Sequence, residues 1–82
     1  MRDVKHSVKT FILEEFLPGT PPSELGETTP LISSAILDSL ATLRLVAFLE
    51  ENFGIELEAH EASVDNLDTL ADIERLVQGK LT

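Results

Sequence analysis

All four prolines of this 82-residue chain fall within one stretch, residues 18 to 38, PGTPPSELGETTPLISSAILD. Proline locks φ and has no amide to donate, so this stretch reads as a loop of about 20 residues that divides the chain. Loops of that length are uncommon in compact domains and are usually either functional or disordered. Leu25, Leu31, Ile36 and Leu37 argue for order, because they can pin the loop to a core. Whatever the chain folds into is therefore built from short regular segments on either side of a long, anchored loop.

Those segments carry helical periodicity. In DVKHSVKTFILEEFL, residues 3 to 17, Val4, Val8, Phe11, Ile12 and Phe16 recur on one face, Asp3 is placed to cap, and Pro18-Gly19 ends the run. Leu13 lies off that stripe, as a surface residue or a small contact. The clearest helix is SLATLRLVAFLEENF, residues 39 to 53, capped by Asp38 or Ser39 and closed by Gly54. At 100° per residue, Leu45, Val46, Leu49 and Phe53, with Thr42 among them, form its core face. Leu40, Leu43 and Ala47 fall on the opposite side beside Arg44, Glu50 and Glu51, a partly apolar face expected to be exposed.

GIELEAHEA, residues 54 to 62, reads as a connection in which Ile55 and Leu57 reach inward; one short strand would have nothing to pair with. Ser63 is placed to cap a single turn over residues 64 to 67. Asp68 is placed to cap a last helix of about ten residues ending before Gly79, with Leu70, Ile73, Leu76 and Val77 as its buried stripe. The sum is an all-α fold in one domain: a small four-helix bundle of three main helices and one short one, with a long loop between the first two.

Six Lys and Arg against 15 Asp and Glu give a net charge of −9. Such a surface repels phosphate backbones and anionic membranes, which argues against nucleic-acid and membrane binding; it suits proteins with basic docking surfaces, while solubility alone is the plainer reading of the charge. No apolar run reaches the roughly 20 residues of a membrane span. MRDVKHSVKT lacks the apolar core of a signal peptide, so the expected location is cytoplasmic. With no cysteine, neither disulfides nor thiolate metal sites are available. His6 and His60 are far apart in sequence with no ligand spacing around them, and no calcium-loop pattern occurs, so no metal site is expected. Monomer is the default, since no heptad seam calls for an oligomer.

The chemistry narrows to Ser39. It has no G-x-S-x-G elbow, and nothing in the spacing brings His60 to it as a base, which argues against a hydrolase. Glycine-rich phosphate loops are also absent. A helix N-terminus can still hold one phosphate, through its free N–H groups and its dipole. Ser39 follows the long loop, begins the helix and adjoins the exposed apolar face, a placement that suits a serine modified by another protein. The plainer reading is a helix N-cap contributing about 1 kcal/mol.

The order helix, long loop, D-S-L, amphipathic helix resembles the acyl and peptidyl carrier protein family from about residue 4 to residue 78. The resemblance is strongest in PLISSAILDSLATLRLVAFLEENFGIEL, residues 30 to 57, and continues in DNLDTLADIERLV, residues 65 to 77, which is similar to the opening of the last helix in aminoacyl and peptidyl carriers. It implies that residues 1–82 form a carrier domain and that a phosphopantetheinyl transferase attaches 4′-phosphopantetheine from coenzyme A to Ser39. The cofactor's thiol then carries an acyl or aminoacyl group as a thioester, which supplies the sulfur that a chain without cysteine lacks. By the same resemblance Asp38 helps to position the transfer reaction, and Leu40, Leu43, Arg44, Ala47, Glu50 and Glu51 lie on a partner-docking face. The implied partners are the transferase, an acyl or aminoacyl ligase and downstream transferases.

Two departures refine the expectation. Many carriers have Gly where this chain has Ala35, so the turn there must avoid positive φ or accept strain. Fatty-acid carriers often have acids where Ala41 and Arg44 stand, and Arg44 is poorly suited to basic docking patches. These features favour a discrete carrier, without catalysis of its own, for aminoacyl, peptidyl or other specialised cargo. The alternative from a different class is an acidic helical interaction module in which Ser39 stays unmodified as a cap. Catalysis by the chain alone is the third reading.

Overall fold

The computed structural model describes residues 3–81. Helix α1 spans Val4–Glu15, α2 Ser39–Phe53, α3 Val64–Leu67 and α4 Leu70–Leu81, and a 3₁₀ turn at Pro22–Glu24 interrupts the long loop. No strand occurs among the described residues. The all-α expectation, with three main helices and one short one, is met.

Asp3 caps α1 by accepting the His6 amide at 3.0 Å. The helix ends two residues earlier than the periodicity suggests. Both the Phe16 and Leu17 amides donate to the Ile12 carbonyl, and the chain turns away before Pro18. Val4, Val8 and Ile12 are buried, Phe11 and Phe16 are half-buried, and Leu13 makes a lesser contact at the core's edge. At the far end of α2, Gly54 closes the helix at φ 65° and donates to the Glu50 carbonyl, a left-handed cap that suits glycine.

The core is one cluster gathered from every element. Leu25, Leu31 and Leu37 bring the loop into it, while α2 contributes Ala41, Leu45, Leu49 and Phe53. The inward row of α2 therefore runs through Ala41, with Thr42 and Val46 half-buried at its side. The loop explains this rotation, since Leu37 delivers the chain to α2 with its own side chain already inside. Beside the row, Phe48 stacks on Phe11 with ring centroids 4.1 Å apart, and Phe16 and Phe53 meet this pair edge-on. Helix α4 packs against α1, α2 and α3 through Leu70, Ile73 and Val77.

Three capping expectations need correction. Ser63 stands at the N-cap position of α3, but its side chain makes no capping bond. Asp68 does not cap α4; Thr69 does, its hydroxyl accepting the Asp72 amide at 3.0 Å. Nor does α4 stop before Gly79. It continues to Leu81, helped by Lys80, which favours a helix C-terminus and pairs with Glu61 at 2.7 Å. In the connection between α2 and α3, Ile55 is buried and Leu57 half-buried, as expected.

Candidate functional site

The loop reaches α2 through a closed turn. Leu31 and Leu37 are both buried, and the Leu37 amide donates to the Leu31 carbonyl at 2.9 Å, so residues 31–37 leave the core and return to it at one point. Within the turn the Ala35 amide donates to the Ile32 carbonyl at 3.0 Å, and Ser34 Oγ donates to the Pro30 carbonyl. Ala35 has φ 65°, so the turn takes the strained option. An L-residue in the left-handed region costs roughly 1–2 kcal/mol.

Asp68 holds this turn from across the molecule. Its carboxylate accepts the amides of Ile32 and Ser33, each at 2.8 Å, and the Ser33 hydroxyl at 2.7 Å. Its main-chain carbonyl accepts the Leu31 amide at 2.6 Å. The Ser33 amide and hydroxyl, with the Ile32 and Leu31 amides behind them, hold the carboxyl below its ordinary pKa despite some desolvation. Sequence reasoning missed this role. The local signal at D-T-L was a helix start, and that task went to Thr69.

Asp38 is the N-cap of α2, accepting the Ala41 amide at 2.7 Å, while its carbonyl receives both the amide and the hydroxyl of Thr42. Ser39 is thus the first helical residue and not the cap. It is exposed, and its hydroxyl bonds to no other described residue. An open groove of about 600 Å³ runs beside it. Ile32, Ala35 and Leu37 form the loop wall, Ser39, Thr42 and Leu43 belong to α2, and Ala62, Ser63 and Val64 form the opposite wall. The lining is mainly apolar, with the hydroxyl-bearing residues Ser39, Thr42 and Ser63 along it.

The outer face of α2 presents Leu40, 68% exposed, and Leu43, 64% exposed, with Ala47 and Glu51 also at the surface. Val64, which the sequence reading did not single out for this surface, adds an exposed apolar side chain across the groove. Arg44 is exposed but engaged, 3.4 Å from Glu15 and 5.8 Å from the centre of the Phe16 ring. Glu50 is half-buried and accepts the Leu57 amide at 2.9 Å, which ties it to the connection after α2. His6 stands apart from the site on α1. Glu58, His60 and Glu61 bring potential ligand atoms within 4.8 Å of one another, a grouping that sequence spacing did not reveal. Glu61 is already bound there by the Glu58 amide and by Lys80.

Residues 12–77 match the sequence pattern of a family described as the phosphopantetheine attachment site. Among solved structures, the chain is similar to one described as KstB-PCP in its apo form, with 27% identity and a TM-score of 0.70 over 93% of this chain and 84% of that one. It is also similar to a chain from a crystal structure described as an FAD-dependent dehydrogenase, with 28% identity and a TM-score of 0.76 over 85% of this chain and 97% of that one.

Proposed function

The chain belongs to the phosphopantetheine-attachment family of carrier proteins, and from that premise we propose that Ser39 is the attachment residue. The family carries acyl or peptidyl groups on covalently bound 4′-phosphopantetheine and works with phosphopantetheinyl transferases and biosynthetic enzymes. The observation that carries the assignment is the exposed Ser39 hydroxyl, relieved of capping by Asp38 and opening on a groove.

The residues fit the group. A phosphate on Ser39 would lie at the N-terminus of a 15-residue helix, where free amides and the helix dipole favour negative charge. Ile32, Leu43 and Val64 offer apolar contact to an extended arm, and the Thr42 and Ser63 hydroxyls can bond to its amides. In the attachment step Ser39 Oγ forms the new P–O bond, and the pyrophosphate bond of coenzyme A breaks. The nucleoside bisphosphate leaves, and the serine proton passes to a base of the transferase. When bound, the cofactor supplies the thiol that holds cargo. Asp38 keeps Ser39 at the mouth of the helix, and Leu40, Leu43 and Ala47, flanked by Arg44 and Glu51, receive partner enzymes.

The cargo we propose is aminoacyl, peptidyl or similarly specialised, handled by an activating ligase and downstream transferases, with the carrier monomeric and not itself catalytic. Arg44 on the docking face and the likeness to KstB-PCP support this. The similarity to a chain described as an FAD-dependent dehydrogenase adds a flavin oxidoreductase to the partner classes worth testing. Among the described residues no helix is long and apolar enough to cross a membrane.

The test is intact mass after incubation with coenzyme A and a broad-specificity phosphopantetheinyl transferase, with Ser39→Ala alongside. One phosphopantetheine gained by the wild type alone is the expected result. Equal gain by Ser39→Ala, or none by folded wild type with several transferases, would refute the assignment.

A further inference from the structure

We infer that Asp68 is a positioning residue for Ser39: it holds the 31–37 turn in the shape that presents Ser39 and sets the spacing of the groove walls beside it. The inference rests on Ser39 being the attachment residue.

Four hydrogen bonds converge on Asp68 from three consecutive residues of the turn. Three of them end on its carboxylate and the fourth on its main-chain carbonyl, and α4 needs none of the carboxylate bonds, since Thr69 already caps it. Nor do α1 and α4 need it to pack, since they meet through apolar side chains. What does need holding is the turn itself. Ala35 sits in a left-handed conformation that an L-residue leaves unless its surroundings enforce it. The span from Ser33, bonded to Asp68, to Ser39 is only six residues, and Leu37 anchors it in between.

Asp68 also follows α3 directly, and α3 begins with Val64 on the far wall of the groove. Ile32, on the near wall, donates its amide to the Asp68 carboxylate. One residue therefore ties both walls together. Releasing it frees the turn to relax at Ala35 and lets the walls separate, so a transferase would have to order the segment as it binds. That cost appears in KM, with kcat little changed, because the Ser39 hydroxyl and its helix remain intact.

The experiment measures loading kinetics with a broad-specificity phosphopantetheinyl transferase and coenzyme A, together with amide hydrogen exchange, for the wild type, Asp68→Ala, Asp68→Asn and Ser33→Ala. For Asp68→Ala we expect kcat/KM to fall about tenfold, mainly through KM, as the loss of charge-assisted bonds implies. The Ile32 and Ser33 amides should lose protection while Ile12 and Ile73 keep theirs. Asp68→Asn, whose carbonyl oxygen can still accept both amides, should recover most of the rate, and Ser33→Ala should lose about two- to threefold. Wild-type kinetics in Asp68→Ala with those two amides exposed would overturn the inference, as would failure of Asp68→Asn to improve on Asp68→Ala. If Asp68→Ala does not fold, Ser33→Ala decides: the stated loss with an unchanged Tm supports the role, and no loss overturns it. A wild type that is never loaded refutes the Ser39 assignment instead, and the exchange readout still judges whether Asp68 orders the turn.

Discussion

Asp38 accepts the Ala41 amide at 2.7 Å, and this bond separates two tasks that adjacent residues could have shared. Asp38 starts the helix and Ser39 is left free. Asp38→Ala should cost about 1 kcal/mol of stability, the ordinary worth of an N-cap, whereas Ser39→Ala should change stability by less than about 0.5 kcal/mol. Urea denaturation of the two variants checks this. A larger loss in Ser39→Ala than in Asp38→Ala would mean that the serine is the structural residue.

Ala35 offers the opposite kind of substitution. At φ 65° glycine is free of the strain that the alanine Cβ imposes, although it loses more backbone entropy on folding. The balance favours glycine, and Ala35→Gly should gain about 0.5–1 kcal/mol, or roughly 3–6 °C in Tm. Differential scanning calorimetry reads the shift. An unchanged or lower Tm would show that the turn does not hold Ala35 in this conformation.

The turn's anchor should titrate. Asp68 is held below its ordinary pKa by the Ser33 amide and hydroxyl and by the neighbouring amides of the turn. In the unfolded chain the carboxylate takes up its proton first as pH falls. Its contribution is therefore fully present above the ordinary aspartate pKa of 3.8 and is lost as pH drops through the lower folded value. Between pH 7 and about pH 5, wild type and Asp68→Asn should show parallel stability curves; below about pH 4 the wild type should fall faster. Urea midpoints against pH test this, and parallel curves down to pH 2 would exclude it.

The stacked pair Phe11 and Phe48 joins α1 to the flank of α2. Both rings are half-buried, so Phe48→Ala should cost about 2 kcal/mol, less than for a fully buried ring. A double-mutant cycle with Phe11→Ala should return a coupling of about 0.5–1.5 kcal/mol. Additive losses would show that the rings pack independently.

Much of this molecule could be read from local pattern. The 3.6-residue spacing of Val4, Val8 and Ile12, the cap at Asp3, and the apolar run from Ser39 to Phe53 closed by Gly54 each depend on residues a few positions apart, where backbone geometry alone relates them. The same holds for the loop, whose prolines exclude regular structure and whose Leu25, Leu31 and Leu37 had to be buried somewhere. The D-S-L stretch and its flanks, all local in sequence, carry the resemblance on which the proposal for Ser39 rests. Tertiary structure decided the rest. Whether Asp38 or Ser39 caps α2, and whether Asp68 caps α4 or reaches 35 residues back to Ser33, are competitions between chemically equal candidates. They are settled by where the packed core places each backbone amide. Glu50 likewise falls beside the exposed face on a helical wheel and becomes a partner of Leu57 only once the chain folds back beside it. Periodicity assigns a side chain to a face, but only the packing of distant segments determines which hydrogen-bond donors that face will meet.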